Sequence, residues 1–176
     1  MNNSTVPSKV TLPQPSLLVV DDRPENLQLL SSVLRKRYRV RVAMGGEIAL
    51  KAIDTSPPDL ILLDVLMPRM DGYQVCAHLK QDPKTQNIPV LFLSASARGQ
   101  DKTRGFEVGG ADYITKPFQT EEVFARIEHQ LTIRSLKQQL EAEIQQRQQL
   151  ERELERQNAQ LEEIRQELQV WQCKES

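Results

Sequence analysis

The run Leu60-Ile61-Leu62-Leu63-Asp64, followed by Val65-Leu66-Met67-Pro68-Arg69-Met70-Asp71-Gly72, decides how this chain is to be read. Four consecutive apolar residues describe a strand buried on both faces, with a carboxylate where the strand runs out. In open α/β sheets, ligands bind just outside the carboxyl ends of the strands. An acid buried there costs stability unless another group pairs with it. The chain offers such groups at the ends of three other apolar runs. Asp21 and Asp22 follow Leu17-Leu18-Val19-Val20, Ser94 follows Val90-Leu91-Phe92-Leu93, and Lys116 follows Tyr113-Ile114-Thr115.

Between these runs lie helical patterns, and the alternation is the signature of βα units and a parallel sheet. Asp22-Arg23-Pro24-Glu25 reads as a helix start, with Asp22 as the capping acid and an early proline. Tyr38-Arg39-Val40-Arg41-Val42 alternates apolar with basic residues, as an edge strand with one wet face would. Gly45-Gly46 opens a helix that Pro57-Pro58 forbids from continuing. Gly72 leads into a helix with Tyr73, Cys76 and Leu79 on one side, and Gly109-Gly110 is a left-handed helix stop. Thr120-Glu121-Glu122 starts the last helix, with acids at its positive end. The expected fold class is α/β, five parallel strands alternating with five helices.

Composition divides the chain further. Residues 1–15 are polar and proline-bearing and read as a disordered leader. Residues 16–130 carry the α/β pattern, and residues 131–176 lack Gly and Pro and are dominated by Gln, Glu, Arg and Leu. A heptad register fits this last part. Ile133, Leu140, Leu154, Leu161 and Leu168 take one core position; Leu136, Leu150, Ile164 and Trp171 take the other. Glu143, Arg147 and Gln157 fill the remaining slots. Nine apolar residues in twelve core slots describe a coiled coil continuous with the last helix of the α/β part. A parallel homodimer is the favoured pairing, and a different partner helix is the alternative. Glu143 and Arg147 lie in adjacent layers, where an ion pair would penalise register slips more than it would stabilise.

At 176 residues with net charge −1, nothing global points to nucleic acid or an anionic membrane. No apolar stretch reaches the length of a membrane span. Cys76 and Cys173 are far apart and outside any C-x-x-C pattern, which speaks against thiolate metal sites and for a reducing compartment. A cytoplasmic protein is expected. His78 and His129 read as solvated helix residues.

Three carboxylates at two adjacent strand ends suit a hard divalent cation such as Mg2+. With the cation bound, Asp64 becomes a plausible nucleophile toward phosphorus, Lys116 a point charge for phosphoryl oxygens, and Ser94 a hydroxyl donor.

These residues carry a resemblance. Leu17-Leu18-Val19-Val20-Asp21-Asp22, Leu62 to Gly72, Leu93-Ser94-Ala95 and Lys116-Pro117-Phe118 are similar to the motifs of the receiver domain of two-component response regulators. The likeness spans about residues 16–130. It implies a flavodoxin-like, doubly wound sheet of order 2-1-3-4-5, which puts the 38–42 strand at an edge. It implies that Asp64 is phosphorylated by a sensor histidine kinase in a phosphorelay. It further implies Mg2+ held by Asp22 and Asp64, by Asp21 through water, and by the backbone carbonyl of Leu66. Lys116 would contact the phosphoryl group, Ser94 would move toward it, and Tyr113 would turn inward as a switch. The apolar Leu66 side chain would shield the phosphoryl group from water.

Other readings compete. Asp64 and Asp22 taken alone could be helix caps, Ser94 a strand end, Lys116 a loop cation and Tyr113 a half-buried strand residue. A phosphatase of the haloacid-dehalogenase type also uses a strand-end Asp, but needs a second acid two residues later, where this chain has Leu66. A coiled-coil scaffold would need none of the acidic set. The expectation is therefore a regulatory phospho-acceptor rather than an enzyme. Alternatively the chain is the receiver and linker of a larger hybrid kinase or cyclase. No output domain is legible, so the downstream partner stays unassigned.

Overall fold

The computed structural model describes residues 14–95 and 99–174, without the side chains of 99–102 and 167–174. Residues 1–13 of the expected leader, and the side chains of Leu168, Trp171 and Cys173, lie outside the described residues. The elements run β1 (Ser16–Val20), α1 (Pro24–Leu34), β2 (Arg39–Ala43), α2 (Gly46–Thr55), β3 (Leu60–Asp64), α3 (Gly72–Gln81), β4 (Val90–Ser94), α4 (Gly99–Glu107), β5 (Asp112–Thr115) and α5 (Thr120–Lys174). All strand pairings are parallel, in the order β2-β1-β3-β4-β5. The α/β alternation, the strand order and the edge position of β2 are those expected from the sequence.

Period-two alternation along the strands sorts their side chains into two cores. Leu18, Val20, Ile61, Leu63, Val90 and Phe92 pack with residues of α2 and α3, including Ala49, Ile53, Tyr73 and Cys76. Leu17, Val19, Leu60, Leu62, Leu91 and Leu93 pack on the opposite face with residues of α1 and α5, including Leu27, Leu30, Val123 and Ile127. The continuous apolar runs of β1, β3 and β4 follow from having helices on both sides. Burial pushes the Cys76 thiol up to about 11, so it is an inert core residue.

Two local expectations are corrected. Asp22 does not cap α1: Arg23 occupies the cap position without a side-chain hydrogen bond, and Pro24 follows at the first helical position. The preceding acid, Asp21, instead accepts the Arg23 backbone N–H at 2.9 Å. The wet face of β2 is also less regular than its sequence alternation. Val42 is exposed while Arg41 is half-buried, because the Arg41 guanidinium donates to the carbonyls of Ala52 and Ser56 at the end of α2.

The chain divides into two compact units, residues 1–134 and 135–176. In the first, Arg126 on α5 pairs with Asp112 at 2.7 Å and Glu122 at 2.9 Å, tying the start of α5 to β5. Arg134 donates to the carbonyls of Pro58 and Asp59. In the second unit, Leu136, Leu140, Leu150, Leu154, Leu161 and Ile164 are exposed along the helix, with Ile144 beside them. Its ion pairs, such as Arg165–Glu162 at 3.7 Å, are solvated and contribute little.

The loop after β3 holds one local strain. Arg69 has φ of 68°, a left-handed conformation that a side chain with a Cβ disfavours and that Asn tolerates better. Arg69→Asn is expected to stabilise the protein by about 1 kcal/mol, read as a rise of a few degrees in the thermal midpoint. An unchanged or lowered midpoint would contradict strain at this position.

Candidate functional site

Parallel register brings the carboxyl ends of β1, β3, β4 and β5 to one rim of the sheet. Val20 lies beside Leu63, and Asp64 beside Leu93, so Asp21 and Asp22 follow directly next to Asp64. The Val65 N–H donates to the Leu93 carbonyl at 3.1 Å and the Lys116 N–H to the Ser94 carbonyl at 2.8 Å. These bonds pin the loops that leave the sheet. The chain then turns back across the end of β3, where the Gly72 N–H donates to the Val65 carbonyl at 2.9 Å. A Cβ on Gly72 would overlap the Asp64 carbonyl, so only glycine permits this crossing. Asp71 and Gln74 form a reciprocal capping box that starts α3 immediately after it.

One carboxylate oxygen from each of Asp21, Asp22 and Asp64 lies within 4.8 Å of the others. Lys116 answers them: its Nζ donates to Asp21 Oδ2 and to Asp64 Oδ1, each at 2.9 Å. Three carboxylates against one ammonium leave the cluster two charges negative. That balance and its all-oxygen donor set fit a hard divalent cation. Asp22, Asp64, Leu66, Ser94 and Lys116 line one open pocket. Asp21 sits beneath it at 0% exposure, whereas the Leu66 side chain stands out at 73%.

Burial pushes the Asp64 carboxyl above its ordinary value; the hydrogen bond and charge of Lys116 pull it back only in part, and the charges of Asp21 and Asp22 add to the rise. Burial acts on Lys116 in the opposite sense, lowering it, but hydrogen bonds to Asp64 and Asp21 and their charges outweigh this and hold the ammonium above its usual value. Lys116 therefore stays protonated at neutral pH, and Asp64 is the group whose ionisation the fold resists.

Of the residues singled out from sequence, Asp21, Asp22, Asp64, Leu66, Ser94 and Lys116 meet at this rim. Tyr113 does not line the pocket. It is buried beneath α4 with its ring centroid 5.2 Å from Phe92 and 5.6 Å from Phe106. Its inward position depends on Gly105 of α4, where a Cβ would overlap the Tyr113 hydroxyl. His78 and His129 are exposed on helices away from the pocket. Sequence reading missed Asn26, which lines the pocket and donates to both oxygens of Asp21. Its spacing from Asp21 would have pointed to it only once the start of α1 was correctly placed.

Between the ordinary carboxylate value and the raised value of Asp64, the folded protein binds more protons than the unfolded chain. Stability therefore falls as pH rises through that window. Asp64→Asn mimics the neutral form. It is expected to raise the thermal midpoint at neutral pH without divalent cations, and the gain is expected to vanish below the window. A lower midpoint at pH 7 would contradict this account.

A family model described as the response regulator receiver domain matches residues 17–128. The chain is similar to a Vibrio cholerae protein named probable cyclic di-GMP phosphodiesterase, 41% identical over 117 residues, which cover 66% of this chain and 26% of that protein. It is 45% identical over 112 residues to the response regulator PleD of Caulobacter vibrioides, covering 63% of this chain and 25% of that one. The chain thus spans about a quarter of the length of these curated relatives. A solved structure of a putative response regulator from Chloroflexus aurantiacus superposes with a TM-score of 0.66 at 40% identity, over 69% of this chain and 99% of that chain.

Proposed function

This chain belongs to the response regulator receiver family, and from that membership we propose that Asp64 accepts a phosphoryl group from the phosphohistidine of a sensor kinase. The observation that carries the reading is the Lys116 ammonium, 2.9 Å from both Asp21 and Asp64 at the mouth of a pocket with three converging carboxylates. No structural role requires that set. Asp64 Oδ1 is engaged by Lys116, and in this reading Oδ2, which accepts no hydrogen bond from the described residues, is the attacking oxygen. In the transfer, Asp64 Oδ2 forms a bond to phosphorus as the phosphorus–nitrogen bond of the donor breaks, and the imidazole leaves with the electron pair and takes up a proton.

In this reading Asp22, Asp64 and the Leu66 carbonyl would hold Mg2+ directly and Asp21 through water. Bound there, the cation would offset the repulsion between two anions and orient the phosphoryl oxygens. Lys116 would shift to a phosphoryl oxygen and Ser94 would donate to another. Phosphoryl capture and loss on Asp64 would be the protein's own chemistry, in the cytoplasm where the kinase works, with no turnover of a separate substrate. Leu66 supports this, because the position two after the nucleophile carries no acid to activate water. Ser94 and Tyr113 would form the switch.

We read residues 16–130 as the receiver and 131–176 as a coiled-coil stalk. The exposed leucines of the stalk recur at heptad spacing and favour a homodimer. One further observation favours a modular setting: the two curated relatives described above are about four times as long as the matched segment. In that setting receiver and stalk would form the input of a longer protein, such as a hybrid kinase or a cyclase.

Incubation with acetyl phosphate and Mg2+ is expected to add one phosphoryl group, detected by intact mass. The addition is expected to be absent from Asp64→Asn and abolished by chelation. Turnover of acetyl phosphate without a labelled protein, or no label at all, would overturn the phospho-acceptor reading. Sedimentation equilibrium is expected to show a dimer at micromolar concentration, which Leu154→Glu converts to monomer. A monomeric parent protein would overturn the stalk assignment.

A further inference from the structure

Three donors converge on the buried carboxylate of Asp21. Its Oδ1 accepts from the Arg23 backbone N–H at 2.9 Å and from Asn26 Nδ2 at 3.0 Å. Its Oδ2 accepts from Asn26 Nδ2 at 2.9 Å and from Lys116 Nζ at 2.9 Å. The single Asn26 Nδ2 bridges both oxygens, so three donors make these four contacts, and a carboxylate with about four lone-pair directions keeps room for a further donor such as water. Because the partner can only accept, the Asn26 amide must present its NH2 group to it. Asn26 is the third residue of α1. Side chains there lean back toward the helix start, which is where Asp21 lies.

Lys116 is committed in two directions, to Asp21 and to Asp64. When Asp64 becomes an acyl phosphate, the negative charge at that position grows, and the ammonium is drawn to the phosphoryl oxygens. It must then give up Asp21. A fully buried carboxylate that loses its lysine partner opposes that step. Here Arg23 N–H and Asn26 would still supply three of the four contacts. Without Asn26 a single backbone donor would remain, and Lys116 would be held back at Asp21.

On the phospho-acceptor reading above, we infer that Asn26 is a positioning residue that holds Asp21 so that Lys116 can pass from Asp21 to the phosphoryl group. Asn26 touches neither phosphorus nor Asp64 in this role. It acts through Asp21 on Lys116. Its effect therefore falls on the transfer step and depends on the charge of Asp21.

The test measures the initial rate of Asp64 labelling by acetyl phosphate across a Mg2+ titration. It compares the parent protein, Asn26→Ala, the near-isosteric Asn26→Leu, Asp21→Asn and the double variant Asp21→Asn/Asn26→Leu. Loss of a charge-assisted hydrogen bond is expected to lower the maximal rate of both Asn26 variants by about tenfold or more. The half-saturating Mg2+ concentration is expected to move by less than about twofold. In the Asp21→Asn background, Asn26→Leu is expected to change the rate no further, because no anion remains to be held. Unchanged rates in the Asn26 variants, a loss that appears wholly as a raised Mg2+ requirement, or the same loss in the Asp21→Asn background would each overturn the inference, although Asp64 still takes label. A parent protein that takes no label would overturn the phospho-acceptor reading itself, and this inference with it.

Discussion

One ammonium holds the functional rim together. The strand order β2-β1-β3-β4-β5 forces the carboxylates that follow β1 and end β3 against each other, and their repulsion in a buried setting is compensated by Lys116 from the end of the edge strand β5. Asp64 and Lys116 are 52 residues apart and Asp21 and Lys116 are 95 apart, so the interaction exists only when the whole sheet has formed. The rim is accordingly an output of the complete fold. The compensation is deliberately incomplete: the cluster keeps two unbalanced negative charges, and Asp64 resists ionisation. A site of that kind is stable enough to persist and has the charge and the oxygen donors that could hold a cation.

The two acids of β1 divide the work in a way their adjacency conceals. Asp21 is turned inward and held by Arg23, Asn26 and Lys116, whereas Asp22 is half-buried and lines the pocket. The missing cap of α1 follows from the same arrangement. The acid that takes the first free helix N–H is the buried one, and the other is left to face the pocket. Helix start, buried acid and lysine anchor are thus one hydrogen-bonded unit.

Helix α5 changes character along its length. Val123 and Ile127 close the second core against the sheet, and Arg126 and Arg134 tie this part to neighbouring loops. From Ser135 onward the apolar positions recur at heptad spacing and stand exposed in the single chain. An apolar stripe of that length is costly to leave in water, and the solvated intrahelical ion pairs beside it do little to offset that cost.

The sequence by itself determined the class of the fold, because the runs 17–20, 60–63 and 90–93 are short, apolar at every position, end in polar residues and alternate with helical patterns, as strands covered on both faces do. It also determined which residues could do chemistry, since Asp21, Asp22, Asp64, Ser94 and Lys116 each sit at a strand end, and the fold class dictates that strand ends share a rim. What it left undecided were matters of direction. Whether Asp21 or Asp22 turns inward, that Asn26 seizes the buried one, that Arg41 leaves the wet face of β2 to cap α2, and that Gly105 makes room for the Tyr113 ring all depend on contacts between segments distant in sequence or on a helix boundary shifted by one residue. Periodicity reports which face of an element is buried. Only the tertiary structure decides which polar atom on that face finds which partner, because that choice is set by three-dimensional distance and by the cost of leaving a buried charge unpaired.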